Sequence, residues 1–145
     1  MERILDWNKY LDTAAKMVSE GIVMLKNENN ALPLDTDKEV AVFGRIQFHY
    51  YKSGTGSGGM VNVTKVVNIL DGLIDNGVKV NEKLLGTYRK WDKENPFDLG
   101  EGWGGEPWSQ KEMPLDEGLV KETAKSCETA IVIIGRTAGE EQDNR

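Results

Sequence analysis

The sequence has little to offer the chemistries that depend on cysteine, histidine or surplus positive charge. Its 145 residues hold one cysteine, Cys127, and one histidine, His49. An internal disulfide framework is excluded, and a zinc cluster lacks ligands unless carboxylates fill in. Acidic residues outnumber basic ones 24 to 18, for a net charge of −6, so there is no general attraction for phosphate backbones or anionic membranes. No apolar run is long enough to span a bilayer. Met1-Glu-Arg-Ile-Leu-Asp-Trp7 lacks the basic segment and apolar core of a signal peptide. The expectation is a soluble, cytoplasmic chain with no nucleic-acid or membrane partner and no metal. What is present suits one modest domain: 39% apolar residues for a core and 29% charged residues, near the globular average.

Helical and extended patterns alternate along the chain. Ile4, Trp7, Leu11, Ala14, Val18, Ile22 and Leu25 recur at three- and four-residue steps and predict an amphipathic helix. Gly21 either interrupts it or ends it, in which case Ile22–Leu25 is extended. Trp7, and Trp91 further on, lie on such stripes and read as core. Asn27–Asn30 and Pro33 force a turn. Val40-Ala-Val-Phe-Gly44 reads as a buried parallel strand. Val63, Val66, Val67, Leu70, Leu73 and Ile74 predict a helix closed by Asn76-Gly77, and Val78–Val80 a second strand. Leu84, Leu85, Tyr88 and Trp91 form another helical face, ended by Pro96. Asp116 is placed to cap a helix running to about Lys125. Ala130-Ile-Val-Ile-Ile134 is the strongest strand pattern, apolar on both faces and stopped by Gly135. The alternation predicts an α/β fold, a three-layer sandwich with a mainly parallel sheet. Two or three strands are few for such a sheet, so the expectation is an incomplete domain. One of its apolar strands would then be an open edge prone to self-association.

Three stretches hold candidate chemistry. Gly54, Gly56 and Gly59 satisfy G-x-G-x-x-G, but about ten residues part them from Phe43, which spoils the tight strand–turn–helix geometry of a dinucleotide site. That loop can serve a nucleotide, be merely flexible, or bring its backbone close to a ligand or another domain. Residues 96–115 are rich in Gly and Pro, with acids and with Trp103 and Trp108. They read as an ordered functional loop because linkers rarely contain tryptophan. The two rings suit the faces of a pyranose, and equally suit packing or a partner interface. The tail Gly139-Glu-Glu-Gln-Asp-Asn-Arg145 follows the last strand pattern, where open α/β sheets build their sites. Carboxylates beside arginines there suit a general acid, and equally a solvated polar turn.

Taken together, several segments resemble one family. Glu20-Gly-Ile-Val-Met-Leu-Lys-Asn-Glu28 with Leu32-Pro-Leu34 resembles the opening of the second domain of family 3 glycoside hydrolases, typically β-glucosidases. Val40–Gly44 is similar to the strand that follows, and Gly54-Thr-Gly-Ser-Gly58 to the loop after it. Thr129–Gly135 is similar to the next recurrent strand, and Gly139-Glu140 with Asp143 to the acid/base loop. The resemblance implies half of a six-stranded α/β sandwich domain that supplies the acid/base glutamate. A (β/α)8-like barrel elsewhere in the same protein supplies the aspartate nucleophile, so residues 1–145 alone are expected to be inactive. Glu140 matches the acid/base position, with Glu141 as the neighbour it can be confused with. Gly54, Gly56, Ser57, Arg136 and Asp143 are the expected sugar contacts, the substrate is a β-linked glucoside or related oligosaccharide, and no cofactor is needed. The barrel usually precedes this domain, whereas Met1 here lies just before the opening helix, as in members with reversed domain order or after trimming. The competing reading is a Rossmann- or flavodoxin-like nucleotide module on the Gly54–Gly59 loop. Calorimetry separates the two: millimolar NAD or ATP should give no saturable signal, and a micromolar dissociation constant would favour the nucleotide module.

Overall fold

The computed structural model describes residues 5–51, 62–63, 65–102 and 104–138. The chain divides into two units, residues 1–33 and 34–145. In the first, α1 spans Trp7–Gly21. Asp6 caps it by accepting a hydrogen bond from Lys9 N at 3.1 Å. The helix ends at Gly21 and Ile22 is extended, which decides between the two readings of that glycine. Asn27 then clasps Leu32 from both sides, donating to its carbonyl at 2.9 Å and accepting from its N–H at 3.0 Å. The enclosed turn has Asn29 and Asn30 in the left-handed region, at φ 55° and 56°. Asparagine tolerates that region better than most residues. Trp7 does not join a core within this unit: it is 64% exposed and meets Tyr10 edge to face. Within the unit, a single helix and an open turn offer no second surface on which to bury a stripe.

The second unit is built on a parallel sheet of three strands, β1 (Glu39–Phe43), β2 (Lys79–Val80) and β3 (Thr129–Val132), in the order β2-β1-β3. Val40 pairs with both Val80 and Thr129, and Phe43 with Val132. Alternate residues of β1 serve opposite faces, as the period of two requires. Val40 and Val42 pack with Leu70, Val78, Val80 and Leu85 on one side, and Ala41 and Phe43 with Leu84, Tyr88, Met113 and Cys127 on the other. Helices α2 (Ile69–Asp75), α3 (Glu82–Glu94) and α4 (Glu117–Ser126) supply the covering side chains. Each begins with an Asn or Asp whose side chain accepts from the N–H three residues on: Asn68 from Asp71, Asn81 from Leu84, Asp116 from Leu119. The three layers and the parallel sheet agree with the pattern reading.

One expectation for this unit needs correction. The stripe beginning at Val63 is not helical from its start. Asn68 caps α2, residues 65–68 lie outside it, and Val63, Val66 and Val67 are exposed. β-branched residues weaken a helix, and the cap sets a later start. β3 lies at the edge of the three, with Val132 67% and Ile134 84% exposed, so one apolar strand does form an open edge, as expected. No described helix is long and apolar enough to cross a membrane.

Leu85 is 1% exposed and belongs to the α2-side cluster. Leu85→Ala should lower the unfolding free energy by about 2–5 kcal/mol, measured by chemical denaturation. A change below about 1 kcal/mol would mean that this core is not tightly packed.

Candidate active site

Because β1 lies between β2 and β3, the chain moves to one side of β1 after it and to the other side before β3. The carboxyl ends of β1 and β3 thus flank a point where the strand order reverses, the place where open α/β sheets form their crevices. A crevice of about 520 Å³ lies there, bordered by Phe43, Gly44, Tyr88, Glu112, Ile134 and Arg136. Two glycines keep its floor narrow. Gly44 has φ 104°, and a Cβ on it would overlap the Ile133 carbonyl. A Cβ on Gly135 would overlap the side chain of Ile46. Glycine is the residue that permits such an approach. The Ile133 N–H extends the ladder by donating to Phe43 O at 2.9 Å.

Past Phe43 the ladder stops, and side chains meet the next backbone groups. Gly44 N donates to the Tyr88 hydroxyl at 3.0 Å, Arg45 N donates to Glu112 Oε2 at 3.0 Å, and Gln47 Nε2 donates to Gly44 O at 3.0 Å. Buried N–H groups need such partners. Burial pushes the Tyr88 hydroxyl above the ordinary tyrosine range, the Gly44 hydrogen bond works against that, and the nearby Glu112 charge adds to it. Tyr88 is therefore a neutral phenol at physiological pH.

Arg45 is the largest fully buried side chain of the unit, 1% exposed. Its Nη2 donates to Asp92 Oδ1 and to Asn95 O, both at 2.7 Å, and its Nη1 donates to Lys111 O at 3.0 Å. Its guanidinium carbon lies 4.9 Å from the Trp91 ring centroid and 5.6 Å from that of Phe97. The other Asp92 oxygen meets His49 Nε2 at 2.8 Å, and the imidazole tilts over Phe97 with centroids 4.7 Å apart. Asn95 and Lys111 lie at the two ends of the Gly- and Trp-rich loop, so one guanidinium holds both ends. Inside the loop Gln110 pairs with the Asp98 backbone in both directions, at 2.9 and 2.7 Å. Trp108 O accepts from Thr137 N at 3.0 Å. The described part of the loop is thus bonded within itself and tied to the chain that leaves β3.

Of the site residues expected from the sequence, Arg136 borders the crevice. Gly54, Gly56, Ser57, Glu140, Glu141 and Asp143 lie outside the described residues, as does Trp103. Trp108 is half-buried, and its backbone carbonyl makes the tie to Thr137. Sequence reasoning missed Arg45, Tyr88, Asp92 and Glu112. The only available signal was an arginine directly after a strand-ending glycine. Among the described residues no group of three or more His, Cys, Asp or Glu is placed to hold a metal ion.

Residues 22–145 match the glycosyl hydrolase family 3 C-terminal domain. A β-glucosidase of Ruminococcus albus is 64% identical over 140 residues, 97% of this chain and 15% of that protein. β-Glucosidase A of Butyrivibrio fibrisolvens is 32% identical over 146 aligned residues, 99% of this chain and 17% of that protein. Among solved structures, a β-glucosidase from Paenibacillus barengoltzii superposes with a TM-score of 0.87 at 54% identity, over 92% of this chain and 15% of its own. β-Glucosidase 3B from Thermotoga neapolitana, in complex with α-D-glucose, superposes with a TM-score of 0.82 at 30% identity, over 97% of this chain and 19% of its own. The chain therefore spans 15–17% of the length of the two sequence relatives.

Tyr88→Phe removes the acceptor of the Gly44 N–H and leaves that donor buried. The unfolding free energy should fall by about 1–3 kcal/mol, read from denaturant midpoints at constant slope. An unchanged midpoint would mean that water replaces the hydroxyl.

Proposed function

Since this chain belongs to glycosyl hydrolase family 3, we propose that it is part of the acid/base domain of a retaining β-glucosidase-like hydrolase, with Glu140 as the general acid/base. The observation that carries the reading is the domain match over residues 22–145, which takes in the Gly139-Glu140 pair. The crevice at the β1–β3 switch point supports it, as do the β-glucosidase names of the relatives and the glucose bound to one of them. In this reading the nucleophilic aspartate comes from a barrel domain elsewhere in the same protein, and residues 1–145 alone do not turn over substrate. The two carboxyl groups stand about 5–5.5 Å apart in the assembled site. Glu140 gives its proton to the leaving oxygen as the aspartate attacks the anomeric carbon. It then takes a proton from the water that releases the sugar, so configuration is retained. Gly54, Gly56, Ser57, Arg136 and Asp143 hold the hydroxyls of a β-linked glucoside or a related oligosaccharide.

Glu140→Ala in the intact enzyme should lower turnover of a substrate with a poor leaving group by about 10²–10⁴. Added azide should restore part of the rate on an activated substrate by replacing the attacking water. If Glu141→Ala shows this pattern and Glu140→Ala does not, the assignment is wrong.

A further inference from the structure

Among the bonds that hold the chain leaving β3 is one to the loop, from Thr137 N to Trp108 O at 3.0 Å. Thr137 is 4% exposed, so this is a buried tie. Trp108 belongs to residues 95–112, whose described members form neither helix nor strand. Such a segment has no ladder of its own, and tertiary ties set its position. Those ties converge on Arg45, through Asn95 O and Lys111 O, through Glu112 to its backbone N–H, and through Phe97 stacked beside the guanidinium.

We propose that Arg45 is a positioning residue for the reaction: it fixes the 95–112 loop, and the loop fixes the chain at Thr137, three positions before Glu140 in the sequence. The inference rests on the reading of Glu140 as general acid/base. Three residues span at most about 11 Å, which keeps the backbone of Glu140 within that distance of the Thr137 tie. Misplacing a reacting group by about 1 Å can cost about 10²-fold in rate. Lysine cannot replace Arg45 here, because it lacks the planar fork that reaches Asp92, Asn95 and Lys111 at once. Asp92 neutralises the guanidinium, and its second oxygen is engaged by His49. Asp92→Asn therefore weakens the same hub with little change in shape.

The test compares kcat/KM of the intact enzyme on an alkyl β-glucoside, which needs the acid, and on a dinitrophenyl β-glucoside, which does not. This parameter reports steps through cleavage of the glycosidic bond, so the later attack of water does not enter. Arg45→Lys should lower the alkyl value by about 10- to 100-fold and the dinitrophenyl value by less than about threefold. Asp92→Asn should show the same selectivity at smaller size, and it serves as the reading if Arg45→Lys fails to fold. Equal losses on both substrates, or no loss on either, would overturn the positioning role, because a lower content of folded enzyme affects both alike. Glu140→Ala runs in parallel. If it shows the leaving-group dependence and the hub variants do not, only the positioning role falls. If Glu140→Ala shows none, the acid/base assignment falls and the positioning role with it.

Discussion

A guanidinium sealed from water must find both its countercharge and its hydrogen-bond acceptors among its neighbours, because an unpaired buried charge is among the most costly defects a fold can hold. Arg45 meets this requirement by drawing in Asp92 from α3 and two carbonyls from the loop after it. The pairing is not a surface ion pair of negligible value. The arginine side chain is 1% exposed and that of Asp92 18%, and the rings of Trp91 and Phe97 shield the charge. Nε has no hydrogen-bond partner among the described residues, so the two terminal nitrogens make all the side-chain bonds described for this group. The position of the loop is in this sense a consequence of where the arginine sits.

The arginine in turn sits where β1 ends. The strand stops at Phe43, Gly44 turns the backbone into a region closed to other residues without strain, and a short 3-10 turn over Arg45–Gln47 follows. The backbone donors freed by the end of the ladder pass to Tyr88 and Glu112. Strand end, helix α3, loop and the exit from β3 are linked through hydrogen bonds at one end of the sheet, which is where this topology opens a crevice. The polar groups there, Tyr88, Glu112 and Gln110, are engaged in holding backbone. The edge they support leads toward the segment that contains Glu140.

Much of the fold was legible in the sequence because the signals are local. The run Val40–Phe43 is apolar on both faces, as a central parallel strand must be, and Asp116 marks a helix start by side-chain chemistry alone. The misreadings have a common cause. Val63–Val67 and Trp7 carry the right spacing for a buried helical face, but burial depends on a partner surface that spacing does not encode. The site divides the same way. The crevice at the ends of β1 and β3 follows from topology, whereas the proposal of Glu140 comes from the resemblance alone. The Arg45–Asp92 pair joins residues 47 positions apart and Arg45–Lys111 residues 66 apart. No periodicity predicts such contacts. The tryptophans set the loop at 96–115 apart from a linker, whereas the role of Trp108 rests on a backbone carbonyl that has no sequence signature.

Amide hydrogen exchange tests most directly whether this network organises the end of the sheet. The buried residues Gly44, Arg45 and Thr137 donate their N–H groups outside the helix and strand ladders, to the Tyr88 hydroxyl, Glu112 Oε2 and Trp108 O, and local opening governs their exchange. The account predicts protection at all three in the parent protein, and a selective loss at Thr137 in Asp92→Asn while Val40–Val42 stay protected. Exchange of Thr137 in the parent at the rate of an unprotected amide, or a loss in Asp92→Asn spread evenly over β1, would contradict it.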